Sequence, residues 1–363
     1  TFQRRFASNL SWSVAWLETG RTDEAMTVAQ LAYRHNQRLM GAKHYNTAAS
    51  QGVLAMVLAK LGKHDEALAA FSQAVPTLLS RSRGSDGEAT NQAARGKRVG
   101  MILESYIDLL SSIRGTAIEQ TASIDAAAEA FRIADVARSR FVQQALGASS
   151  ARAAAKDPAL ANLVRREQDT IKQISSLYGL LANILSAPTG QQDSQTIASL
   201  RVRIDDLRVA RGALSEEIEN GFPEYAQLIN PKPMTIEQTR AILTTGEALI
   251  STYVGRERSY VWAVPRQGEA SFAAVELGRE DLSDEVYLLR GALEPNAATL
   301  GDIPEFDVES AYALYEQLLA PVEAGWKDAT SLLVVGHGPL GFLPLSVLPT
   351  KSVTLEPESE PLF

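Results

Sequence analysis

The sequence predicts a mostly α-helical chain that closes on an α/β part. Three observations predict it. Residues 1–222 are rich in Ala, Leu, Glu and Arg and poor in proline, a helix-forming composition. Within them one pattern recurs at a constant offset of 42: Trp16–Ala32 (WLETGRTDEAMTVAQLA) aligns with Leu58–Ala74 (LAKLGKHDEALAAFSQA). After Gly221 the texture changes. Pro223, Pro231 and Pro233 arrive in quick succession, and Val- and Tyr-rich segments follow.

In the repeat, Gly20 aligns with Gly62, Asp23 with Asp65, Glu24 with Glu66, Ala25 with Ala67 and Ala32 with Ala74. Gly20 and Gly62 are placed to end one helix and reverse the chain, because glycine takes positive φ at no steric cost. Ala25 and Ala67 fall early in the second helix, where a small side chain lets two helices approach closely. Trp12 and Trp16, aligned with Leu54 and Leu58, fill the face between the helices at i, i+4 spacing. This pattern resembles the tetratricopeptide repeat (TPR), with Arg38–Ser50 as the longer connector of a 42-residue unit. A third, degenerate unit is expected, with Met101–Ile113 as its first helix and Asp125–Arg138 as its second, after the polar loop Arg83–Thr90. Residues 1–150 therefore read as TPR-like helical repeats, a right-handed solenoid whose first helices line the inner side and hold a protein or peptide partner.

Residues 151–222 read as a long helical hairpin. Asp157-Pro158 is a helix start, with Asp as N-cap and Pro at the first helical position. Leu160, Val164, Glu167, Ile171, Ile174, Tyr178, Leu181 and Leu185 then recur at alternating fours and threes. Ala187–Ser194 breaks the helix, and Ile197, Leu200, Ile204, Leu207, Arg211, Leu214 and Ile218 repeat the spacing. Two such helices joined by a short loop pack antiparallel.

Residues 223–363 read as α/β. Thr235–Gln238 is a capping box that opens a helix. Ala248–Val254, Ser259–Val264 and Ala270–Leu277 form a β-meander through the turns Gly255–Arg258 and Pro265–Gly268. Helices follow near Asp281–Leu293 and Val308–Ala324. Ser331–Val335 (SLLVV) has the unbroken apolar look of a strand buried on both faces. The loop after it, Gly336–Gly341 (GHGPLG), spells G-x-G-x-x-G with Glu356 about twenty residues on. A dinucleotide site fails on mechanics. The glycines must open a continuous helix, whereas Pro339, Pro344 and Pro349 leave only a few residues for one.

Composition excludes several function classes. Of the 363 residues, 45% are hydrophobic and 21% charged, which is ordinary for a folded chain. No apolar run approaches the ~20 residues of a membrane-spanning helix. The net charge of −8 argues against a dedicated nucleic-acid binder. With no cysteine and four scattered histidines there is no thiol nucleophile and no thiolate or histidine-rich metal site. Localisation is left open. The chain opens at Thr1 with TFQRR, no apolar signal core follows, and it reads as a fragment or a processed product.

One ordered set of segments carries a wider resemblance. TPR-like repeats come first, then Ala130–Arg140 (AFRIADVARSR), the hairpin, Pro231-x-Pro233 leading into the capped helix, Glu247–Val254, Val261–Val264, and Leu332–Leu348 (LLVVGHGPLGFLPLSVL). The set is similar to the CHAT family, the caspase-like domain associated with TPRs. The resemblance implies a caspase-like α/β domain whose full-length form is a His–Cys peptidase, with both residues lying beyond the segment that ends at Pro361-Leu362-Phe363. On that reading 223–363 is the leading part of the domain, strand Ser331–Val335 presents an unpaired edge, and the chain itself is a protein-interaction and regulatory portion without activity. The alternative is a complete, non-catalytic TPR scaffold.

No residue is assigned a catalytic, cofactor-binding or metal-binding role. His337 lies in a turn near the sheet edge, and His35, His44 and His64 read as surface residues of the repeats. Glu280, Asp281, Asp284 and Glu285 favour a helix start. Arg138, Arg140, Arg165 and Arg166 read as a solvated face.

Overall fold

The computed structural model describes residues 10–81, 89–139, 157–187, 191–229, 232–294 and 304–352. The chain divides into two compact units, residues 1–124 with 139–233 and residues 125–138 with 234–363.

The first unit begins with helices α1 (Leu10–Glu18), α2 (Thr22–Met40), α3 (Tyr45–Lys60), α4 (His64–Arg81) and α5 (Ala89–Ile113), followed by the short α6 (Ala117–Ala122). The two copies of the sequence repeat are α1–α2 and α3–α4. Each first helix ends on its glycine at positive φ, 76° at Gly20 and 72° at Gly62. Each then closes the same six-residue backbone loop, Arg21 N–H donating to Trp16 O at 2.8 Å and Lys63 N–H to Leu58 O at 3.0 Å. The small residues are where the helices meet: Ala25, Ala32, Ala67 and Ala74 are all fully buried. The large apolar members divide. Leu58 is buried and Trp16 and Leu54 are half-buried, while Trp12 is exposed.

Helix α5 lies against both α3 and α4. Phe71 of α4 stacks on Tyr106 with centroids 5.0 Å apart. A Cβ added at Gly52 of α3 would come within 2.8 Å of the Ile102 Cδ1 atom, so the helices touch there because position 52 has no side chain. The expected first helix of a third unit, Met101–Ile113, is thus the C-terminal half of a longer helix, and of the loop Arg83–Thr90 residues 83–88 lie outside the described residues.

The hairpin forms as α8 (Pro158–Ser186) and α9 (Ser194–Gly221), followed by the short α10 (Pro223–Ile229); α7 belongs to the second unit and is introduced below. Asp157 caps α8 by accepting from Ala159 N–H at 2.8 Å, and Asp193 caps α9 by accepting from Gln195 N–H at 3.0 Å. The heptad seam has two apolar ends. Leu160, Leu163, Leu214 and Ile218 pack with Ala226 of α10 at one, and Ile174, Tyr178, Leu181, Leu200 and Ile204 pack at the other. Between them the seam is polar: Glu167 accepts from Arg211 Nε at 3.4 Å and from Ser215 Oγ at 3.0 Å. Such a pair inside a seam holds its register, because any slip leaves a charge unpaired. The hairpin also seats on the first repeat. Met40 joins its second apolar cluster, and Arg201 and Arg208 donate to the carbonyls of Arg38 and Lys43 at 3.3 and 3.1 Å.

The second unit is a sheet with a layer on each face. Strands β1 (Glu247–Val254), β2 (Ser259–Pro265) and β3 (Ser271–Val275) form the expected antiparallel meander, with Ile250 opposite Ala263 and Trp262 opposite Phe272. Strand β4 (Ser331–Val335) returns beside β1 in parallel, giving the order β3-β2-β1-β4. One face carries α12 (Arg279–Leu293), α13 (Val308–Leu318) and the 3₁₀ turn Ala320–Gly325, with Leu282, Val286, Leu289, Leu314, Leu318 and Val322 packed on Ile250, Val261 and Ala263. The expected helix Val308–Ala324 stops at Leu318 because Pro321 cannot continue it.

The other face corrects the repeat assignment. The helix over 126–139, α7, expected as the second helix of a third repeat unit, lies against this sheet. Trp262 Nε1 donates to Ala127 O at 3.0 Å, and Phe131 meets the Trp262 ring edge-on at 5.9 Å. Its buried residues (Ala126, Ala130, Phe131, Ile133, Ala134 and Ala137) are all apolar, so pattern alone does not say whether a helix or a sheet will cover them. Helix α11 (Ile236–Ile242) opens on the expected capping box, with Thr235 and Gln238 bonding reciprocally. Strand β4 is the expected edge strand, but it is not buried on both faces as its apolar run suggests: among the described residues Leu332, Leu333, Val334 and Val335 are left 42%, 41%, 46% and 40% exposed.

Ala67 has no exposed surface, and its helix α4 packs on α3. Ala67→Leu should overpack that contact and cost about 1–3 kcal/mol, read as a lower denaturation midpoint. An unchanged midpoint would remove the close-packing role assigned to Ala67.

Candidate functional site

Three surfaces stand out, one in the helical unit and two in the sheet unit. In the repeats, Arg95 and Arg98 lie three residues apart on α5 and so share a face. Arg98 donates to Ser11 Oγ of α1 at 3.4 Å. The Arg95 guanidinium lies over the ring of Tyr45, the first residue of α3, at 5.8 Å. This face thus touches the first helices of both repeats. Burial pulls the Arg98 pKa below the ordinary guanidinium value, with Tyr45 opposing and Arg95 adding to the shift. The signal in the sequence is R-x-x-R with no carboxylate three or four positions away.

On the sheet, an apolar groove of about 710 Å³ runs along the exposed face of β4. Ile250, Leu319, Leu332, Val334, Phe342 and Leu343 are among its lining residues. It offers shape and apolar surface, with no carboxylate, imidazole or ammonium in its lining.

The third surface is the C-terminal end of the parallel pair β1–β4, the place where open α/β sheets commonly hold ligands. Here it is filled by protein. His337 N–H donates to Thr252 Oγ1 at 3.1 Å, and His337 Nδ1 accepts from Val254 N–H at 2.9 Å. The imidazole is therefore the Nε2-protonated tautomer, and it stacks on Tyr253 with centroids 4.7 Å apart. Burial lowers its pKa to about 4, with Arg138 and Arg279 adding to the shift. Its basic nitrogen is spent on the backbone, so the ring is placed as a wedge between strands and not as a base beside a nucleophile.

The other candidates disperse. Arg138, expected on a solvated face, is largely buried: it donates to Ser251 Oγ at 2.8 Å and Thr252 O at 2.7 Å, and lies 3.5 Å from Asp135. Arg165 and Arg166 are exposed on α8, and Arg140 lies outside the described residues. His44, expected at the surface, is buried. Its Nδ1 accepts from Asn46 N–H and caps α3, and its ring meets Tyr178 of the hairpin edge-on at 4.3 Å. His35 and His64 are half-buried. Glu280, Asp281 and Asp284 are exposed on α12, whose first turn holds Glu280 and Asp281. Gly336–Gly341 leads into the 3₁₀ turn Gly338–Phe342, with no α-helix opened by the glycines. Among the described residues no His, Asp and Glu cluster could hold a metal ion, and no helix is long and apolar enough to cross a membrane.

Comparison with known families agrees with the repeat register. The tetratricopeptide repeat family matches residues 13–80, which covers α1 to α4. No curated protein and no solved structure matches the chain.

The His337 wedge sets a pH dependence. A histidine whose pKa falls on folding binds fewer protons in the native state, so its contribution is fully present above about pH 6.5, the ordinary value, and is lost as pH falls toward 4. The denaturation midpoint of the sheet unit should drop across that window. In His337→Phe, which keeps the stack on Tyr253 but cannot be protonated, the drop should be smaller. Equal slopes for the two proteins would refute the wedge.

Proposed function

We propose that the chain is the partner-binding portion of a TPR–CHAT protein, in which the repeats hold a protein or peptide and the sheet unit corresponds to the leading part of a caspase-like domain. The observation that carries the binding role is the pair of helix hairpins in fixed 42-residue register, α1–α2 and α3–α4, in the segment that the tetratricopeptide repeat family matches. Stacked hairpins of this type expose one continuous face and use it for protein partners.

The caspase-like reading rests on the ordered motifs and gains support from β4. Natural edge strands are guarded by charges, prolines or bulges. Strand β4 has none of these, and it leaves four large apolar side chains about two-fifths exposed. An open, unguarded edge of this kind is one that a further strand can extend. The histidine and cysteine of such a peptidase have no counterpart at any position here, and His337 serves the sheet.

Two measurements test the proposal. A random-peptide display library panned on the full chain should enrich binders, and photo-crosslinking should place them on residues 13–113. Enrichment of nothing, or crosslinks confined to the sheet unit, would overturn the binding role. A peptide-cleavage assay on the same protein should stay at background. Activity that persisted through repeated purification would require a nucleophile other than cysteine and would overturn the caspase-like assignment.

A further inference from the structure

Four partly buried arginines elsewhere on these helices are paired with a carboxylate. Arg132 pairs with Glu129 at 2.7 Å, Arg138 with Asp135 at 3.5 Å, Arg208 with Asp205 at 2.9 Å and Arg211 with Glu167 at 3.4 Å. Arg34, Arg38 and Lys97 have no carboxylate one turn away and are exposed. Arg95 and Arg98 lack one and are half-buried. Their one-turn neighbours are Asn91, Gln92, Ala94, Val99, Met101 and Ile102, and none carries a negative charge. Their described contacts are a hydroxyl at Ser11 and a ring at Tyr45, both neutral. The chain as a whole holds 43 acidic residues against 35 basic, and none of the 43 lies three or four positions from Arg95 or Arg98.

The arrangement also has a physical cost. Both side chains are half-buried, and two like charges on one helix face at i, i+3 spacing repel each other. A half-desolvated guanidinium keeps most of its donors unfilled unless a charged acceptor arrives. The hydroxyl of Ser11 occupies one donor of Arg98 and leaves the forked geometry open to a carboxylate.

We propose that Arg95 and Arg98 form the recognition point of the repeats for an acidic peptide, whose Asp or Glu carboxylate docks on the two guanidinium groups beside Ser11 and Tyr45. The assignment rests on the partner-binding reading of the repeats and names the chemistry of the partner. An acidic peptide suits the site better than a nucleic acid does. A polyanion with a charge at every step needs an extended basic stripe, and this chain is acidic overall.

The test uses the full chain and fluorescein-labelled peptides of alternating Ser with Glu or Asp, each with a matched Gln or Asn control, read by fluorescence anisotropy. The acidic peptides should bind and the amide controls should bind at least tenfold more weakly. Raising the salt from 50 to 300 mM should weaken the acidic peptides alone. Arg98→Gln and Arg95→Gln should each lower affinity for the acidic peptide about tenfold, while Arg98→Lys should retain part of it. Unchanged melting of each variant shows that the loss is local. Equal binding of acidic and amide peptides, no binding of either, no effect of the glutamine variants, or equally tight binding of an oligonucleotide of the same charge would overturn the assignment. The broader reading fails separately. If the random library of the preceding section enriches neutral peptides that crosslink to the repeats, and Arg98→Gln leaves them bound, then the repeats bind partners and the acidic chemistry is wrong.

Discussion

The helical unit depends on one constraint, that α3 be narrow. Of its residues 45–60, Ala48, Ala49, Ser50, Gly52 and Ala55 are small, and all are buried. That allows neighbours on several sides at once: α2 before it, α4 after it, and α5 across Gly52. Close approach multiplies van der Waals contacts, each worth only about 0.1–0.2 kcal/mol, and excludes water from the backbone. The neighbours then supply the bulk that α3 lacks. Val28 of α2 and Leu78 of α4 are buried in the flanking helices, and Ile102 fills the notch that Gly52 leaves. The repeat glycines matter for the same reason. A helix can pack this closely on its successor only if the chain reverses within a few residues, and the paired loops at Gly20 and Gly62 make that reversal in the same way.

From this centre the packing reaches outward to the hairpin. The connector between the repeats ends at His44, whose imidazole does two jobs: it caps α3 and it presents a ring edge to Tyr178. Tyr178 in turn receives Arg208, which also holds the Lys43 carbonyl. Four residues thus tie a loop to a helix pair that begins more than a hundred positions later. Composition reads His44 as a surface residue because a lone histidine between polar neighbours usually is one. What buries it is a long-range contact with α8, which no local pattern encodes.

That distinction governs what was legible. The repeats, the hairpin, two helix starts and the meander were all readable, because each is specified by residues within one or two turns of each other: glycine at a reversal, Asp before Pro158, Thr235 three residues before Gln238. What failed depended on partners far along the chain. Helix α7 has the small apolar face of a repeat helix, and only Trp262, over a hundred residues on, decides that it covers a sheet. Strand β4 has the uninterrupted apolar run of a buried strand, and the run is real; the covering is what the described residues lack. Arg95 and Arg98 were missed for another reason. Their signature is a missing opposite charge at cations that are half-buried, and burial is not written in the charge pattern.

The same long-range logic explains how β4 is held at the sheet edge with its apolar side chains partly exposed among the described residues. Its ladder to β1 runs from Glu247–Ser331 to Ser251–Val335, and a parallel ladder of five pairs is weak by itself. Side chains extend it where the strands diverge. Thr252 Oγ1 donates to Val335 O and accepts from His337 N–H, and His337 Nδ1 takes the Val254 amide. Arg138 secures the same end from α7 by holding Ser251 Oγ and Thr252 O, while Arg279 holds Val254 O from the start of α12. The polar groups at the strand ends are therefore satisfied from both layers, although the apolar residues between them are not covered. A buried arginine and a neutral histidine both carry a desolvation cost, and here that cost is offset by closing backbone bonds that water would otherwise compete for. The end of β4 is in this way fixed independently of its exposed edge, by side chains of α7, α12 and the turn at His337.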